Sequence, residues 1–114
     1  ACKIRALEET AYRYSTDLVH ENTELLSELT DLLRASGKKV FLITFPKTQC
    51  YNTFTNKSNL KEGRLVIDSL VKAKGLTYID LSKRIMPDTL FKDADHLNSK
   101  GIKMIWEEIL PSLN

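Results

Sequence analysis

The residues best able to do chemistry lie together in Phe91-Lys92-Asp93-Ala94-Asp95-His96-Leu97-Asn98-Ser99-Lys100-Gly101. Asp93 and His96 are three positions apart, within reach of each other across one turn of loop. A carboxylate so placed holds an imidazole in one tautomer and stabilises its protonated form. The other ring nitrogen can then act as base towards a hydroxyl nucleophile. Asp95 competes for the orienting role. The plain alternative is a polar loop that caps a helix, with both aspartates solvated and His96 incidental.

Other candidates carry weaker chemistry. Cys50 follows a strand-like run, so a Cys50–His96–Asp93 set would give nucleophile, base and orienter. Nothing nearby in the sequence lowers a thiol pKa, which argues for a plain thiol. Cys2 and Cys50 form neither a disulfide framework nor a metal site by spacing; a bridge between them is open only in an oxidising compartment. His20, near Glu21 and Glu24, reads as a surface histidine. No HxxxH, HExxH or CxxC spacing supports a metal, so none is expected. No Gly-rich phosphate loop is present, and no organic cofactor is expected either.

These residues need elements to position them. Leu18, Leu25, Leu26, Leu29, Leu32 and Leu33 fall at helical spacing and form one apolar stripe, with Gly37 as the stop. Val40 to Phe45 is a continuous apolar run ending at Pro46, the pattern of a strand buried on both faces in a parallel sheet. Residues 46–58 read as a long loop, which favours a functional role. A helix is predicted from Asn59, whose spacing to Glu62 is that of a capping box, with Leu60, Val66, Ile67, Leu70 and Val71 as its apolar face and Gly75 as its end. Thr77 to Leu81 is the next strand. Strand, helix, strand with short joints predicts a right-handed βαβ unit. Ser82 to Leu90 has room for one helical turn closed by Pro87, and Phe91 to His96 reads as loop. Asn98 is placed to cap a last helix that turns Ile102, Ile105, Trp106 and Ile109 to the core. Residues 1–17 are ambiguous: Arg5 to Tyr14 allow a helix, and Tyr12 and Tyr14 read as packing residues of it.

The count leaves a deficit. Two interior parallel strands need neighbours on each side and helices on both faces. Residues 1–17 or 46–58 therefore hide another strand, or chains pair, or these residues are the C-terminal part of a larger α/β domain. With 114 residues, 42% hydrophobic and 28% charged, the chain is expected to be one globular domain. A net charge of +2 is too small to suggest nucleic-acid or membrane-surface binding. No run approaches the roughly 18 apolar residues of a membrane span. The first residue is Ala1 rather than Met, so a processed or trimmed chain is expected and a lost targeting segment stays open.

Asp93-x-x-His96-Leu97-Asn98-x-x-Gly101, followed by an amphipathic helix, resembles the last block of the SGNH (GDSL-like) hydrolases, closest to their cell-envelope acyl-transfer and esterase branch. The preceding order is also similar: a long helix, a strand ending in Phe45-Pro46, a helix, and the strand Tyr78-Ile79-Asp80-Leu81-Ser82. The likeness covers roughly residues 18–114. It implies a flavodoxin-like three-layer α/β sandwich with parallel strands, of which this is the C-terminal part. His96 and Asp93 would be two members of a Ser-His-Asp triad, with O-acyl esters of a small molecule or carbohydrate as substrates and an extracytoplasmic setting. The loop 46–58 would flank the active site. The family's Gly-Asp-Ser nucleophile block and its glycine and Gly-x-Asn-Asp oxyanion blocks have no counterpart here. No serine is preceded by Gly-Asp, and those at 15, 27, 58, 69, 82, 99 and 112 sit in helices or polar loops, not in a strand-to-helix elbow. The resemblance therefore implies that nucleophile and oxyanion hole come from a missing N-terminal half, or from a partner chain, and that these residues alone are inactive. Two alternatives stand beside it: a non-catalytic α/β module binding carbohydrate or protein, and a complete small domain that pairs through its sheet edges.

Overall fold

The computed structural model describes residues 1–11 and 16–113, with backbone alone for 11 and 16–18. Tyr12 and Tyr14 lie outside the described residues. The elements are α1 (Cys2–Ala11), α2 (Thr16–Ala35), β1 (Phe41–Thr44), α3 (Gln49–Phe54), α4 (Lys57–Lys74), β2 (Thr77–Asp80) and α5 (Ser99–Ile109). Single 3-10 turns stand at Asp88–Leu90 and Leu110–Leu113. The protein is thus mixed α/β, with five α-helices and one two-stranded parallel sheet among the described residues. Among the described residues no helix is long and apolar enough to cross a membrane.

Two compact units divide the chain. The second unit, residues 10–43 and 56–79, holds α2, α4 and most of the sheet. Its helix ends follow local chemistry. Gly75 ends α4 in the left-handed conformation at φ 60°, and Gly37 takes φ 74° after α2, so both predicted stops hold. The start of α4 differs from the capping-box reading. Asn56 is the cap, its Oδ1 accepting from the Asn59 backbone N–H at 3.1 Å. Asn59 is instead buried, and its Nδ2 donates to the Thr10 carbonyl at 2.7 Å. Two asparagines three apart offer two possible caps, and Asn59 is taken by this longer-range bond.

The α2 stripe also departs from expectation. Leu25, Leu26, Leu29, Leu32 and Leu33 are all exposed, Leu32 at 65%. Thr30 is buried in this helix, and Lys74 reaches Asp31 at 2.8 Å while Arg34 donates to the Lys74 and Gly75 carbonyls. Polar groups therefore bind α2 to α4, and the most apolar face of α2 is left open. The strands are similar. β1 is half-buried throughout rather than fully enclosed, and Phe45 is exposed. Neither 1–11 nor 46–58 supplies the missing strand. The first is helical, and the second holds α3 and the start of α4 rather than one long loop.

The first unit, residues 1–9, 44–55 and 80–114, carries the candidate chemistry. Its core includes Ala6, Tyr51, Met86, Leu97, Ile105 and Ile109. In α5, Ile105 and Ile109 face inward as predicted, whereas Ile102 and Trp106 stay exposed at 42% and 38%. Asn98 caps α5 through Oδ1 to the Gly101 N–H at 3.0 Å, as expected. The turn near Pro87 follows the proline rather than preceding it, over Asp88–Leu90. Gly101 is needed for contact and not for an unusual φ. A Cβ there would press on the Leu90 carbonyl oxygen, with Leu97 Cδ2 at 2.9 Å. Gly101→Ala is expected to cost about 1–3 kcal/mol, measured by urea unfolding, because a backbone oxygen cannot step aside as a side chain can.

Candidate active site

Asp93 is held by a local turn. Its Oδ1 accepts from the backbone N–H groups of Asp95 at 3.1 Å and His96 at 2.8 Å. The same carboxylate meets His96 Nδ1, at 2.9 Å from Oδ1 and 3.1 Å from Oδ2. The hairpin is closed by an antiparallel bridge between Phe91 and Leu97 and by the Lys92 N–H to the His96 carbonyl at 2.8 Å. Sequence spacing brought these two residues together correctly. A carboxylate on Nδ1 fixes the proton there and leaves Nε2 as the acceptor. The His96 side chain is 60% exposed, and among the described residues Nε2 has no hydrogen-bond partner.

Desolvation tends to raise the Asp93 pKa, but the Asp95 backbone N–H, the His96 ring and the His96 backbone N–H outweigh it. The carboxyl is held well below its ordinary 3.8. A lowered folded value means that these contacts stabilise the fold above the ordinary carboxylate range. That share is lost as pH falls through the lowered value.

Asp95 is the residue whose role the spacing left open. It is buried, 7% exposed, with Oδ1 3.3 Å from His96 Nδ1. Its main partner is Arg5 on α1, whose Nε lies 2.6 Å from Oδ1. Both atoms are shut off from water and meet off the straight hydrogen-bond direction, so the contact is an ion pair. Lys47 adds a bond to the Asp95 carbonyl at 3.1 Å and stands 3.9 Å from Oδ2. Arg5 also pairs with Glu9 at 3.0 Å, and Glu9 accepts from the Tyr51 hydroxyl at 2.8 Å. That bond chiefly lowers the Glu9 pKa, while burial, with the same bond, raises the Tyr51 pKa.

The β1-to-α3 segment is the third wall. Thr48 caps α3 with its hydroxyl, accepting from the Tyr51 N–H at 3.2 Å, and donates to the Ala94 carbonyl at 2.7 Å. The predicted loop thus does flank the aspartate–histidine pair, but as a short helix. Cys50, at its start, is bonded to Cys2, with Cα atoms 6.3 Å apart. Cys50 therefore has no free thiol, and the Cys50–His96–Asp93 nucleophile set is excluded along with the plain-thiol reading. The bridge joins α1 to α3 across 48 positions, a distance over which sequence gives no geometric signal. An open depression of about 400 Å³ lies beside the pair, with Arg5, Thr48, Phe91 and Asp93 among its walls.

Lys47 and Tyr51 lie in the segment that the resemblance places beside the site, whereas Arg5 and Glu9 were not singled out for it by sequence. One signal existed: Cys2, Arg5, Ala6 and Glu9 share a face of α1, at i, i+3, i+4 and i+7. Each of the three polar members ties that face to the rest of its unit. His20 lies on the exposed surface of α2 and pairs with Glu24 at 3.1 Å. Ligand atoms of Asp93, Asp95 and His96 lie within 4.8 Å of one another. Arg5 and Lys47 already supply positive charge to Asp95, which weakens that trio as a cation site.

Compared with known protein families, curated proteins and solved structures, the chain finds no match.

Proposed function

We propose that these residues are the histidine- and aspartate-bearing part of an SGNH-like serine esterase or O-acyltransferase. The observation that carries this reading is the Asp93 carboxylate on His96 Nδ1 at 2.9 Å, with Nε2 left open. In the reaction, His96 Nε2 takes the proton of a serine hydroxyl as its oxygen attacks the ester carbonyl. It returns that proton to the departing alkoxide, and Asp93 stabilises the imidazolium between the two steps. The acyl-enzyme then passes its acyl group to water or a sugar hydroxyl by the same sequence. O-acylated small molecules or carbohydrates are the substrate class.

The nucleophile is assigned to a segment outside these 114 residues. The strand-to-helix elbow after β1 offers Phe45, Pro46, Lys47 and Thr48 but no serine. Two features favour the reading of a C-terminal part of a flavodoxin-like three-layer domain. Among the described residues the sheet has two strands, and the leucine face of α2 is open. An N-terminal half of the same domain, or a partner chain, would cover both. The Cys2–Cys50 bridge suits an extracytoplasmic setting, since such bridges persist in oxidising compartments.

Intact mass spectrometry of the whole protein, before and after a fluorophosphonate that labels activated serines, tests this. An adduct is expected on polypeptide outside the 114 residues. An adduct on one of this chain's own serines would overturn the divided triad. No adduct anywhere would leave a non-catalytic binding module.

A further inference from the structure

His96 Nδ1 stands between two carboxylates, and only one of them is free to orient it. Asp93 contacts it at 2.9 and 3.1 Å, Asp95 at 3.3 Å. Two full negative charges on one ring nitrogen would overstabilise the imidazolium and blur which carboxylate sets its direction. Asp95, however, is buried against a cation from a different element. We propose that Arg5 is a positioning residue for the His96–Asp93 pair: it holds Asp95 as its own counter-ion, so that Asp93 alone orients the imidazole.

The arrangement of α1 supports this. Glu9 holds Arg5 from one helical turn away at 3.0 Å, and Tyr51 holds Glu9 at 2.8 Å. Cys2, one turn in the other direction, is bonded to Cys50. The guanidinium is thus steered from both sides along one helix face. A buried carboxylate without a cation is costly, so the Arg5–Asp95 pair is also expected to keep the 93–96 turn in place. The inference deepens the proposed esterase reading, but its test needs no substrate.

The test is the NMR titration of the His96 ring in the whole protein, with the exposed His20 as internal reference. The charged and titratable groups around the ring are Asp93 and Asp95 in its own turn, Arg5 and Glu9 on α1, Lys47 after β1, and Tyr51 on α3. Arg5→Gln should move the His96 titration upward, because Asp95, 3.3 Å from Nδ1, then acts on the ring uncompensated. Arg5→Lys should restore it to near the wild-type value. Asp95→Asn should lower it, because Arg5 is then the uncompensated group. The Arg5→Gln/Asp95→Asn pair should fall back close to wild type. Opposite single shifts that cancel are a signature that mere loosening of the fold would not give.

An Arg5→Gln titration that matches wild type, or a double variant that keeps the Arg5→Gln shift, would overturn the inference. Should Arg5→Gln fail to fold, Asp95→Asn carries the test alone, since it removes the buried charge; an unchanged His96 titration there would be equally fatal. Cancelling shifts in a protein without ester turnover would sink the esterase reading alone. Turnover with independent shifts would sink the role of Arg5 alone.

Discussion

His96→Ala in the whole protein is expected to lower kcat for ester turnover by about six powers of ten, with a much smaller effect on KM. The reason is that Nε2 moves a proton in both half-reactions and contributes little to holding the substrate. Asp93→Asn should cost less, near 10⁴-fold by comparison with the aspartate of serine-protease triads. The asparagine Oδ1 can still accept from the Asp95 and His96 backbone N–H groups, so the turn should survive. An NH₂ group then replaces Oδ2, 3.1 Å from Nδ1. Oδ1 stays 2.9 Å from Nδ1 as a neutral acceptor, so what is lost is the negative charge that stabilises the imidazolium. Asp95→Asn should cost clearly less, because Asp95 faces Arg5 more closely than it faces the ring. Steady-state kinetics on a short-chain acyl ester would read all three. Retained turnover in His96→Ala, or a larger loss from Asp95→Asn than from Asp93→Asn, would defeat the assignment of roles.

Parts of this arrangement were legible because they depend on local chemistry. Gly37, Gly75 and Asn98 end or begin helices through bonds that span one turn, and each does so where the sequence indicates. Asp93 and His96 meet because three residues of turn leave their side chains adjacent. The apolar run from Val40 marks β1 because so few other structures suit it. What failed to show is what depends on distant partners. Six-residue α3, Gln-Cys-Tyr-Asn-Thr-Phe, has no apolar period to reveal it, only the Thr48 cap. The Arg5–Asp95 ion pair and the Tyr51–Glu9 hydrogen bond join segments more than 40 positions apart, and no spacing rule links them. The α2 leucines teach a further point. Periodicity identifies an apolar face correctly, but it cannot say whether the covering surface lies in the same residues.

Removing the Cys2–Cys50 bridge should have the largest effect on stability. A cross-link closing a loop of 48 positions is worth about 4 kcal/mol in the chain-entropy picture, with roughly 2–4 kcal/mol commonly realised. Cys2→Ser/Cys50→Ser is therefore expected to melt about 10 °C or more below wild type, and thiol reductant should lower the wild type towards it. The loss should concentrate at α1. Ten residues make a marginal helix in isolation, so α1 depends on its ties, among them the bridge, Arg5 to Asp95, Glu9 to Tyr51 and Thr10 to Asn56 and Asn59. With the bridge gone, the Arg5–Asp95 and Tyr51–Glu9 contacts, buried Ala6 and the bonds of Thr10 must hold it without a covalent tie. Hydrogen exchange over residues 2–11 should accelerate well before that of α5, which is anchored by buried Ile105 and Ile109. Equal protection of α1 in the bridged and serine forms, with an unchanged melting temperature, would mean that the non-covalent contacts alone fix the helix. The Arg5 guanidinium would then keep its place on Asp95 whatever the redox state, and the covalent tie would be redundant for the geometry around His96.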